Sequence, residues 1–101
     1  MAIHKLEIVW TKRSQNDMRN AFDYISQDSV RNAVLALEDI VAMTNKALTN
    51  SEFFAPDKFK ESNDGSYPAF EKHHYRVSYR FDNKAIRILR VRHTSREPKI
   101  Y

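Results

Sequence analysis

The residues able to do chemistry crowd into the last third of the chain: Arg76, Arg80, Arg90, Arg92, His93, Arg96, Lys99 and Tyr101. Arginine matches a phosphate group with two parallel hydrogen bonds and stays charged at any working pH. A nuclease that cleaves through a 2′-hydroxyl needs a base for that proton, an acid for the leaving oxygen, and cations for the charged phosphorane. His93 and Tyr101 are candidates for proton transfer, and Arg76 and Arg96 for phosphate clamps. By residue type alone, Arg76 and Arg80 fit equally as surface strand residues, and Tyr101 as a terminal aromatic docked on a sheet.

Other chemistries lack their residues. There are no cysteines and one glycine, Gly65. Disulfides, thiolate metal sites and a cysteine nucleophile are excluded, as is a glycine-rich phosphate loop. No H-E-x-x-H or nucleophile-elbow motif occurs. His73 and His74 are adjacent, and on a strand they would point to opposite faces, a poor chelating pair. Neither a metal nor a cofactor is expected.

Charge is unevenly distributed. Residues 1–70 hold 8 basic and 10 acidic side chains, and residues 71–101 hold 9 basic and 3 acidic ones. A carboxyl-terminal third this basic suits a polyanionic or acidic partner, or a solvated cationic face. At 101 residues, with 42% hydrophobic and 30% charged side chains, the chain reads as one globular domain, 1–101. No apolar run approaches the roughly 20 residues of a membrane span. The amino terminus has no signal-peptide core, so the expected compartment is the cytoplasm.

The elements that must position these residues follow from periodicity. Residues 4–10 alternate weakly and read as a first strand. Thr11 or Ser14 can cap a helix carrying Met18, Ala21, Phe22 and Ile25 on one stripe. Gln27-Asp28-Ser29 breaks it and offers a cap for a second helix. There Val30, Ala33, Val34, Leu37, Ile40, Val41 and Thr44 form a stripe expected to be buried against the sheet. Residues 49–66 read as a loop pinned by Phe53, Phe54 and Phe59, ending in the cluster around Gly65. The segment 67–72 supplies a strand. Tyr75, Val77, Tyr79 and Phe81 alternate with Arg76, Ser78 and Arg80, a strand with two unlike faces. Asp82-Asn83 is expected to be a two-residue turn. The strand from Ala85 to Val91 has Ile86 and Ile88 on one face and Leu89 and Val91 on the other, which places it centrally. Arg87, Arg90 and Arg92 deliver their guanidiniums to the rim. The plan is α+β, in the order β-α-α-β-β-β, with a helical hairpin packed on a small twisted antiparallel sheet.

This order of elements, and above all YRVSYRF followed by IRILRVRH within AFEKHHYRVSYRFDNKAIRILRVRHTSREPKIY, resembles the RelE/ParE superfamily of type II toxin–antitoxin toxins. The resemblance implies a small basic bacterial toxin, a factor in plasmid stabilisation. It also implies a cognate antitoxin whose acidic, partly disordered segment wraps the toxin. RelE-like members cut mRNA in the ribosomal A site with basic residues and, in several, a terminal tyrosine. On that reading Arg76, His93, Arg96 and Tyr101 are catalytic. Arg76 matches the strand-motif arginine, while Arg96 and Tyr101 match with a spacing off by about one residue. The lysines of the preceding strand are not reproduced, since only Lys72 lies nearby. ParE-like members act on DNA gyrase and are not nucleases. The helical hairpin of about 16 and then 19 residues and the tail VRHTSREPKIY resemble that subgroup, which is the preferred reading. Lys72, Arg76, Arg80, Arg90, Arg92, Arg96 and Lys99 are then the surface for the target or antitoxin.

Overall fold

The computed structural model describes residues 7–46, 56–64 and 66–95. The elements are β1 (Glu7–Trp10), α1 (Lys12–Ser26), α2 (Val30–Lys46), β2 (Ala69–Lys72), β3 (Tyr75–Phe81) and β4 (Ala85–His93). Their sequence order is the expected one, and two helices pack on one four-stranded sheet of order β1-β4-β3-β2.

The sheet is mixed. β2, β3 and β4 are antiparallel as expected, but β1 joins β4 in parallel. The chain returns from β1 to its neighbour only after the helices and two further strands, the long crossover that a parallel pair requires. Thr11 ties this corner together. Its hydroxyl accepts the Ser14 amide (3.1 Å) as the α1 cap and donates to the Ile88 carbonyl (2.8 Å). Ser14 is fully buried and donates back to the Thr11 carbonyl. Ser29 caps α2 by accepting the Asn32 amide.

Three residues of the α1 stripe meet the core, with Ala21 buried and Met18 and Ile25 packed on it, while Phe22 is only half-buried. Only part of the α2 stripe is buried. Ala33, Ala36, Ile40 and Thr44 are buried, whereas Val30, Val34, Leu35 and Val41 are 61, 42, 48 and 38% exposed. The small Ala33 and Ala36 let α2 lie close on its neighbours, and its apolar arc is wider than that contact covers.

Two turns also differ from expectation. His73 and His74 are not strand residues. They form the two-residue turn between β2 and β3, with φ of 54° and 66°. Hairpins favour such left-handed turns because their twist matches that of the strands, at roughly 1–2 kcal/mol for each side chain with a Cβ. The turn is held from both sides: His73 Nε2 lies 2.6 Å from Asp39 Oδ2 on α2, and the His74 carbonyl accepts the Thr94 amide. Between β3 and β4, Asp82, Asn83 and Lys84 make a three-residue connection. Asp82 accepts the Lys84 and Ala85 amides there, so Asn83 needs no positive φ. Those amides, with Arg87 and Arg80, hold the Asp82 carboxyl below the usual carboxylate range.

The register of β3 against β4 governs every facing. Tyr75, Val77, Tyr79 and Phe81 oppose His93, Val91, Ile88 and Ile86, and residues directly opposite share a face. Ser78 opposes Arg90, so Leu89 is an extra residue on β4, a β-bulge. It returns Val91 to the helix-covered face with Ile86 and Ile88, and all three are buried in one core with Val77, Tyr79 and Ile40. The expectation that Leu89 and Val91 share the opposite face is therefore corrected. Without the bulge, straight alternation would turn Arg90 and Arg92 into the core. Deletion of Leu89 leaves every cross-strand pair intact. The variant should fold, losing about 1 kcal/mol for a half-buried side chain, whereas deletion of Val91 reverses the facing of Arg92 and should abolish cooperative unfolding in urea. An unfolded Leu89 deletion would contradict this register.

Candidate functional site

The register places the arginines as a block on the face away from the helices. Arg76 lies opposite Arg92, Arg80 opposite Arg87, and Ser78 opposite Arg90. Like charges directly across a strand pair destabilise it, so the carboxylates around them matter.

Arg76 is held between two of them. Its Nη2 donates to Asp57 Oδ1 at 2.6 Å and its Nη1 to Glu71 Oε2 at 2.7 Å. The Arg76 side chain is 19% exposed and that of Asp57 2%. Phe59 lies against the guanidinium, 4.9 Å from ring centroid to Cζ. Burial works against the charge, but the two ion pairs outweigh it and hold the guanidinium above its ordinary range. The Arg76 Nε is buried without a partner among the described residues, the consequence of placing both carboxylates on the Nη atoms. Both Nη groups of this guanidinium are taken by carboxylates, which leaves Arg76 no free face to hold a phosphate.

Arg90 is engaged on the other side. Its Nε donates to Asp17 Oδ2 at 2.8 Å, and the same oxygen accepts the Val91 amide at 3.0 Å. Asp17 thus fastens α1 to β4 just beyond the point where β1 stops pairing.

Arg80 is exposed and stacks on Tyr67 (5.6 Å). It also draws on Asp64, whose carboxyl is held below the usual range chiefly by the Ser66 hydroxyl and amide. Lys72 is exposed at the end of β2. Arg92 makes no ion pair among the described residues.

His93 belongs to the opposite face from Arg76. It is paired with Tyr75 and enclosed edge-on by Tyr75 (5.1 Å) and Tyr24 of α1 (5.8 Å), with His74 stacked at 6.3 Å. Its Nδ1 accepts the Ser95 amide. Of the four residues a nuclease would use, Arg76 and His93 are separated by the sheet, and Arg96 and Tyr101 lie outside the described residues, as does Lys99.

Sequence reasoning missed Asp57, Glu71 and Asp17. Glu71 had a signal: a turn at His73-His74 sets Glu71 opposite Arg76. Asp57 and Asp17 reach their partners over 19 and 73 residues, with no local pattern to announce them.

No curated protein sequence matches the chain. Residues 8–98 match the family described as ParE toxin of type II toxin-antitoxin system, parDE. The fold agrees with a solved structure titled chromosomal ParDE TA system from P. aeruginosa. The TM-score is 0.70 at 20% identity, over 90% of this chain and 98% of that one. The chain belongs to the ParE toxin family, within the RelE/ParE superfamily, and is the toxin component of a type II toxin–antitoxin system.

Removing one member of a buried ion pair strands the other charge. Arg76→Ala should therefore cost about 3 kcal/mol in urea unfolding, against about 0.5 kcal/mol or less for the exposed Arg80→Ala. Equal small losses would contradict the buried pairing.

Proposed function

We propose that this toxin acts in the cytoplasm on DNA gyrase and is not a nuclease, and that its antitoxin restrains it by covering both the basic strands and α2. The observation that carries the first part is Arg76 locked between Asp57 and Glu71, with the sheet between it and His93. A phosphodiester clamp and a proton-transfer group have to reach one scissile bond, and this pair faces opposite ways. The helical hairpin of 15 and 17 residues adds support, being long as in ParE-like members.

The antitoxin surface follows from what is left uncovered. Val34, Leu35 and Val41 offer apolar side chains on α2. Lys72, Arg80 and Arg92 carry positive charge not held in an ion pair among the described residues. An acidic amphipathic segment that orders on binding satisfies both.

With purified gyrase and plasmid DNA, the toxin should inhibit supercoiling or accumulate cleaved DNA. In a translation extract it should leave message intact. The paired variant Arg76→Met with Asp57→Asn, which removes both buried charges together, should keep its effect on gyrase. Cuts in message at the ribosomal A site that vanish in this folded variant would overturn the reading.

A further inference from the structure

β1 pairs with β4 only from Ala85 to Ile88, so the edge of β4 beyond Ile88 runs beside α1 instead of a strand. Between that edge and α1 lies a cleft of about 280 Å³, lined by Asn20, Tyr24, Tyr75, Arg92, His93 and Ser95 together with the Asp17–Arg90 pair. We propose that this cleft is a phosphate-binding site, with Arg92 as its cation and His93 and Asn20 as donors.

The lining is rich in donors. The one carboxylate among its described lining residues, Asp17, is already occupied by Arg90 and the Val91 amide. Arg92 has no carboxylate partner among the described residues. The backbone amide of Ser95 can only donate, so the His93 Nδ1 that receives it carries no proton, and the neutral ring bears its proton on Nε2. Tyr24 and Tyr75 pack edge-on against the ring and fix its orientation. The neutral ring is thus a positioned donor.

The donors come from different walls: Asn20 from α1, and, at the open edge of β4, Arg92 from the outer face and His93 from the helix side, both bordering the cleft. A tetrahedral group with several oxygens meets such a set better than a planar carboxylate with two. The volume falls just under the roughly 300 Å³ at which pockets begin to enclose whole drug-sized ligands. It suits a single charged group with its ester arm. The phosphate can belong to a nucleic-acid backbone or be free, and both offer the same oxygens. The inference does not rest on gyrase being the target.

The isolated full-length toxin should be titrated with inorganic phosphate and with a short single-stranded oligonucleotide at low salt, observed by NMR. Saturable shifts are expected at the Asn20 side-chain amide and the His93 ring. Arg92→Gln and Asn20→Asp should each weaken binding roughly tenfold or more, the loss of one charge-assisted hydrogen bond. Arg19→Gln, an exposed charge outside the cleft, should bind as the parent does. Oligonucleotide binding well above that of phosphate, with a salt slope reduced by about 1 in Arg92→Gln, assigns the site to a nucleic-acid backbone. Equal binding assigns it to free phosphate. No saturation with either probe, or an equal loss in Arg19→Gln, would overturn the proposal. The spectra of Arg92→Gln and Asn20→Asp themselves report whether each variant is folded.

Discussion

Two adjacent strands of this domain carry five arginines, and a core only one sheet and two helices deep has no room for any of them. The constraint is one of parity. On β3, strict alternation sends Arg76 and Arg80 outward while Tyr75, Val77 and Tyr79 point in. On β4, the run from Ile86 to His93 would turn Arg90 and Arg92 inward if it were read straight through. The bulge at Leu89 changes the parity at the point where the apolar spacing shifts from two residues to three, and all five guanidiniums leave the core. Every later feature depends on that facing.

An all-arginine outer face carries its own difficulty, because two pairs of like charges stand directly opposite one another. The chain answers with carboxylates from three other parts of the fold: Asp57 from the loop before β2, Glu71 from β2, and Asp17 from α1. Each also does structural work. Asp57 brings its loop and Phe59 onto the sheet, and Asp17 receives an amide that β1 stops short of covering. Two of the five cations are thereby withdrawn from any partner. Charge counted along a sequence therefore overstates what a surface offers; the positions that count are the ones without internal acceptors, here Arg92 above all.

Much of this fold is legible before any coordinates. The alternation of β3, the order of elements, a first cap at Thr11 or Ser14 and a second within Gln27-Asp28-Ser29 follow from local periodicity and side-chain chemistry, and the structure selects Thr11 and Ser29. What is not legible is set over distance. The parallel pairing of β1 depends on where the chain returns, and the exposure of Val34 and Val41 depends on how much of a wide apolar arc its neighbours cover. The turn at His73-His74 is hidden because it carries none of the Asn-Gly, Asp-Gly or Gly-Gly pairs that signal a two-residue hairpin turn. At the candidate site the arginines were visible by type, but their availability was not: Asp57 and Asp17 come from distant segments, and the separation of Arg76 from His93 is a property of register.

The functional account, a ParE-family toxin whose strand arginines are held by its own carboxylates and do not clamp a scissile phosphate, is tested most directly by the arginine side chains themselves. Nitrogen-15 NMR of the full-length toxin reports rotation about each Nε–Cζ bond. Arg76 and Arg90 should show restricted rotation with separately resolved Nη groups, while Arg80, Arg87 and Arg92 average rapidly. A freely rotating Arg76 guanidinium that becomes fixed only when RNA is added would contradict the account.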